Sequence, residues 1–145
     1  MKKISISGKK NIDGFKQDVK PKRIVTEKWK NKEYLLDKKN HLDILLKIYL
    51  ETPFPDKKYC LKELRNKING YKQQDKKKNL YTNKLILIDE CLNKLLASKL
   101  KCDYCRDNVL LFYENPREPN QWTLDRINNN IGHEKNNVAI CCLDC

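Results

Sequence analysis

Two Cys-x-x-Cys pairs, Cys102/Cys105 and Cys142/Cys145, lie within the last 44 residues of the chain, with 36 residues between them. In each pair the backbone turns tightly after the first cysteine, so both sulfurs can face one point. Two such pairs brought together make a tetrahedral four-thiolate site for Zn²⁺. The chain has seven cysteines, a lysine-rich composition and no secretory pattern. That argues for a reducing compartment and metal binding, not for disulfides. Cys141 directly precedes Cys142 but lacks the x-x spacing, and it reads as a strand-end residue facing the core.

The segment between the pairs points to chemistry. Trp122-Thr-Leu-Asp-Arg-Ile-Asn-Asn-Asn-Ile-Gly-His133, followed by Asn137, clusters residue types that bind a second metal and phosphate. Asp125, at the end of a predicted strand, suits a hard divalent ion such as Mg²⁺ or Mn²⁺. Arg126 cannot act as a base near neutral pH but can clamp phosphate. His133 is the one imidazole nearby, either as general base or as metal ligand. The plainer readings stand beside these. Asp125 and Arg126 can form an ordinary turn ion pair, and His133 after Gly132 can simply cap a turn. Asn137 reads as structural either way, and Trp122 reads as hairpin core.

Charge separates the two ends of the chain. The net charge is +12; residues 1–101 hold 27 Lys and Arg against 12 Asp and Glu, and residues 102–145 hold 4 against 7. A basic body joined to a mildly acidic, metal-ready end suits a protein that holds a polyanion with one part and acts on it with the other. The partner expected from charge is therefore a nucleic acid. The longest apolar run, Leu85-Ile-Leu-Ile88, is far too short to cross a bilayer. No membrane partner is expected, and the reading is a soluble intracellular protein of the cytoplasm or nucleus. Oligomeric state is not readable.

The predicted fold class is α+β, an N-terminal helical region followed by a zinc-stapled β-hairpin. Residues 1–25 read as a flexible basic arm, 26–98 as a basic helical region and 99–145 as the zinc-binding domain. Asn40 is placed to cap a helix through about Glu51, with Leu42, Leu45, Leu46 and Tyr49 on one face, stopped by Pro53 and Pro55. Asp56 is placed to cap a second through Asn69, with Leu61, Leu64 and Ile68 in phase and Gly70 as terminator. Lys72–Asn79 reads as a polar loop. A third helix is expected over Thr82–Ser98, with Leu85, Ile88, Leu92, Leu95 and Leu96 as its stripe. Cys60 and Cys91 read as small buried hydrophobes, and His41 as a surface residue. Strands are expected over Val109–Tyr113, Trp122–Leu124 and Val138–Ile140.

The Asp125-Arg-Ile127 run, Gly132-His133, Asn137 and the final Cys-x-x-Cys together resemble the His-Asn-His endonucleases of the ββα-metal type. The resemblance is strongest to the zinc-stapled subgroup of phages and large DNA viruses, and it covers about residues 98–145. Tyr113–Trp122 also resembles that subgroup. Arg126 stands where the family usually has His, and Asn128 where the subgroup usually has Asp. The resemblance implies a treble-clef fold, metal-dependent hydrolysis of DNA phosphodiesters and an Asn137 that holds the loop by bonds to the backbone. The family's helix after the late cysteines is missing from this sequence, so the expectation is a truncated finger of impaired activity. Two other readings stay open: a non-catalytic zinc module that binds nucleic acid, and a zinc-stabilised protein-interaction domain.

Overall fold

Three helices and one antiparallel hairpin make up the computed structural model, which describes residues 28–145. The basic arm expected over residues 1–25 lies outside the described residues. After a 3-10 turn at Glu33–Leu36, helix α1 runs Lys38–Tyr49. Its cap is Asp37 and not Asn40: the Asp37 carboxylate accepts the Lys39 N–H at 3.0 Å. The buried face is also rotated from the expected one. His41, Ile44, Leu45 and Ile48 point inward, whereas Leu42, Leu46 and Tyr49 are 46%, 45% and 42% exposed. Both stripes have helical spacing, and the isoleucine stripe is the one the core takes.

His41 is therefore not a surface residue. It is 1% exposed, with Nε2–H donating to the Leu35 carbonyl at 2.7 Å and Nδ1 accepting the Leu111 N–H at 3.1 Å. One neutral imidazole joins the turn before α1 to the segment leading into the hairpin.

Helix α2 spans Lys57–Lys77. It does not stop at Gly70, and the expected loop over Lys72–Asn79 is mostly helix. Glycine inside a helix costs about 1 kcal/mol. The continuing buried row Cys60, Leu64, Ile68, Tyr71 and Asp75 offsets it, because the last two find partners on the hairpin.

Helix α3 spans Ile88–Ala97 and starts six residues later than expected. The preceding residues are extended because they pair with the hairpin's loop: Leu85 bridges Glu134, and the Ile86 N–H donates to the His133 carbonyl at 2.9 Å. The Glu90 carboxylate then caps the Leu87 N–H at 2.9 Å.

Residues 109–113 form no strand. Leu111 and Phe112 are both buried in the core, but no ladder of backbone bonds runs along the segment. The segment makes one parallel bridge, Leu110 to Gln121. Strands β1 (Trp122–Arg126) and β2 (Val138–Cys142) pair antiparallel, from Trp122 opposite Cys142 to Arg126 opposite Val138.

One hydrophobic cluster joins helices and hairpin, running from Trp29 to Cys142. Cys60 and Cys91 lie within it, and burial pushes both thiols up to about 12. No helix among the described residues is long and apolar enough to cross a membrane.

Candidate functional site

The four cysteines converge. Leu100, in the left-handed region at φ 55°, turns the chain out of α3, and Cys102 follows two residues on. Its sulfur accepts the N–H groups of Tyr104 at 3.4 Å and Cys105 at 3.5 Å. Strand β2 delivers Cys142, and a turn closed by the Cys145 N–H on the Cys142 carbonyl at 3.2 Å brings in Cys145. The four sulfurs all lie within 4.8 Å of one another, and Cys105 and Cys142 are 3.8 Å apart. Zinc–sulfur bonds of about 2.3 Å in a tetrahedron put the sulfurs about 3.8 Å apart. The donor set, spacing and N–H···S bonds all fit Zn²⁺, and four thiolates leave no open position for substrate. Burial opposes ionisation of Cys102, but the backbone N–H groups of Cys105, Cys142 and Tyr104 outweigh it and bring the thiol down to about 6. Cys141 is outside the cluster, buried, with its sulfur 3.0 Å from the Thr123 hydroxyl.

The loop between the strands is organised by Asn137. Its Nδ2 donates to the carbonyls of Asn128, Ile131 and Gly132 at 3.0, 3.2 and 2.9 Å, and its Oδ1 accepts the Asn128 N–H at 2.9 Å. Arg126 adds a clasp, with Nη1 donating to the Asn129 carbonyl at 2.9 Å. Asp125 does not pair with Arg126, since strand neighbours point to opposite faces. The Asp125 carboxylate accepts the Tyr104 hydroxyl at 2.7 Å, a bond that with burial pushes that phenol up to about 12. Asp125 also lines a groove of about 510 Å³ between α2 and the hairpin, together with Lys67 and Gln74.

His133 is 4% exposed and held from α2. Its Nδ1 lies 2.7 Å from Asp75 Oδ1, and its backbone N–H donates to Asp75 Oδ2 at 2.8 Å. Its ring lies against Tyr71, centroids 4.5 Å apart. Burial pulls the imidazole below its usual value, and the Arg126 and Lys78 charges push the same way against Asp75.

Gly132 permits this approach. A Cβ there would sit 2.6 Å from Asp75 Oδ2 and 2.8 Å from the Leu80 carbonyl oxygen. Gly132→Ala is expected to cost about 2 kcal/mol by overpacking, read as a lower urea midpoint at unchanged slope. An unchanged midpoint would mean that the loop yields freely.

Two residues of this region were not anticipated. Asp75 falls in phase with the α2 stripe, so extending the helical period past Gly70 could have found it. Lys67 carries no such signal. Its ammonium donates to Tyr113 Oη and Gln121 Oε1, each at 2.8 Å, and to the Trp122 carbonyl. It also sits over the rings of Tyr113 and Trp122, while burial pulls it down to about 7. Of the expected site residues, Arg126, His133 and Asn137 share one hydrogen-bonded loop, and Asp125 opens on the neighbouring groove. Compared with known proteins, the chain matches no family model, no curated protein and no solved structure.

Proposed function

We propose that the chain is a zinc-stapled, metal-dependent endonuclease that hydrolyses DNA phosphodiesters, as its resemblance to the His-Asn-His enzymes implies. Cys102, Cys105, Cys142 and Cys145 would hold Zn²⁺ as a structural ion. Asp125 would hold Mg²⁺ or Mn²⁺, which keeps most of its waters and accepts one or two carboxylates plus substrate phosphate. That ion supplies charge neutralisation at the scissile phosphate. His133 takes a proton from the attacking water. Arg126 and Lys78 set positive charge beside the ring, where an anionic phosphate is favoured. Asn137 keeps the loop backbone in one conformation, so the side chains on it are held before substrate arrives.

The observation that carries this reading is the loop itself. It is cross-braced by Asn137 and Arg126, seated on a carboxylate–imidazole pair, and placed at the end of a hairpin with a four-thiolate cluster. A supercoiled plasmid incubated with Mg²⁺ or Mn²⁺ tests it. Nicking is expected from the native chain and not from Asp125→Ala; equal nicking by both removes the catalytic assignment.

A non-catalytic nucleic-acid module is the second reading. What favours it is that, among the described residues, the four cysteines are the one converging group of three or more metal-ligand side chains. It keeps salt-dependent DNA binding without cleavage. Lys72 and Lys76 flank the exposed Tyr81 ring at 5.5 and 5.1 Å, which gives a stacking and phosphate surface on either reading. Binding to DNA is expected to weaken steeply between low and physiological salt. An affinity indifferent to salt would remove DNA as the partner.

A further inference from the structure

We propose that Asp75, on helix α2 and outside the hairpin, is the positioning residue for His133, holding the imidazole with Nδ1 protonated and Nε2 free to accept a proton. The inference rests on the endonuclease reading and adds a residue to its machinery. A buried carboxylate on a lysine-rich helix is unfavourable unless it is fully bonded. Asp75 is 2% exposed, and both its oxygens go to one residue. The Oδ2 bond to the His133 N–H would by itself fasten the loop to the helix. The Oδ1 bond to the ring does something else: it sets the tautomer. A carboxylate only accepts, so Nδ1 must carry the hydrogen and Nε2 the lone pair. Nε2 has no hydrogen-bond partner among the described residues, and it is not one of the fully enclosed atoms lacking a partner.

The rest of the setting fits a base. Tyr71 fixes the ring plane, and its own hydroxyl is fixed by the Leu124 N–H at 3.1 Å. Gly132 leaves no side chain between carboxylate and backbone, so the pair closes to hydrogen-bond distance. Arg126 and Lys78 favour the neutral ring before reaction. In the step itself, water oxygen bonds to phosphorus as the phosphorus–O3′ bond breaks. One water proton passes to Nε2, and the leaving 3′ oxygen takes a proton from solvent water. The imidazolium that forms is then stabilised by the Asp75 charge, as a carboxylate stabilises the histidine of a hydrolase triad.

Asp75→Asn preserves shape and one hydrogen bond but removes the charge and the demand for Nδ1–H. Single-turnover cleavage with saturating Mn²⁺ is expected to slow on the order of 100-fold, with plasmid affinity and zinc content unchanged. Nitrogen NMR of histidine-labelled native chain is expected to show the Nδ1–H tautomer at His133, and this needs no variant to fold. Cleavage that depends on Asp125 but keeps its rate in Asp75→Asn overturns the role of Asp75 alone. A native His133 in the Nε2–H tautomer overturns it too. Nicking indifferent to Asp125 overturns the endonuclease reading and this role with it.

Discussion

Stripping zinc from the chain with a strong chelator is expected to abolish the cooperative unfolding of the hairpin and its packing on α3. Structural zinc in small fingers contributes about 10–16 kcal/mol of apparent binding energy at neutral pH. The net stability of a whole domain is only about 5–15 kcal/mol. Nothing else among the described residues replaces that contribution. The strands are five residues each, and an isolated two-stranded hairpin is marginal in water. Cys102 and Cys142 are buried, so a metal-free cluster would leave two thiols in the core beside two at its edge. Fresh protein is expected to hold one zinc per chain by elemental analysis. Cys102→Ser and Cys142→Ser should each lose it, whereas Cys141→Ser should keep it, because that sulfur faces Thr123. Melting followed by circular dichroism should lose its sharp transition on chelation. Fresh protein without zinc, melting alike with and without chelator, would end the structural-metal assignment.

The cysteine cluster was legible because each half is local. Two residues between cysteines determine the turn, and only the meeting of the halves needed the fold. The hairpin strands were legible for a related reason: Trp122 and Leu124, then Val138 and Ile140, alternate at period two. Helix limits were not legible where a distant partner outweighed a local signal. Gly70 reads as a stop, yet Tyr71 and Asp75 carry the helix on by bonding to residues more than fifty positions away. Thr82–Leu87 reads as helix, yet Leu85 and Ile86 take backbone partners at Glu134 and His133. In α1 the period alone allowed two apolar faces, and nothing local distinguished them.

The same split runs through the candidate site. Asp125, Arg126, His133 and Asn137 stand within one short run and could be picked by residue type. Their partners could not. Asp75 and Lys67 reach the hairpin from α2, and the charge pattern shows them only as members of a lysine-rich stretch. A basic composition hides the one buried acid on that stretch, which is also the acid that holds His133.

His41→Ala is expected to cost about 4 kcal/mol at neutral pH, more than any other single substitution outside the cysteine cluster considered above. Leaving a buried donor or acceptor unpaired costs about 1–3 kcal/mol each, and this change orphans two, the Leu35 carbonyl and the Leu111 N–H. It also removes the ring that meets Phe112 edge-on at 5.9 Å. The contribution is pH-dependent. Burial holds the His41 pKa below its usual 6.5, despite the Leu35 carbonyl and Asp37. The unfolded chain therefore binds the proton more readily, and stability is lost as pH falls from 6.5 through the lower folded value. Above 6.5 the contribution is complete. The mechanism is specific: a proton on Nδ1 would face the Leu111 N–H it now accepts. Acid also releases metal from thiolates, and His133 shifts in the same direction. The useful quantity is therefore the gap between native and His41→Ala urea midpoints, measured at pH 8, 6.5 and 5. The gap should be full at pH 8, nearly full at 6.5 and smaller at 5, because the native chain loses there what the variant already lacks. A gap constant from pH 8 to 5 would show that the ring titrates alike in the folded and unfolded chain, and that burial does not disfavour its charge.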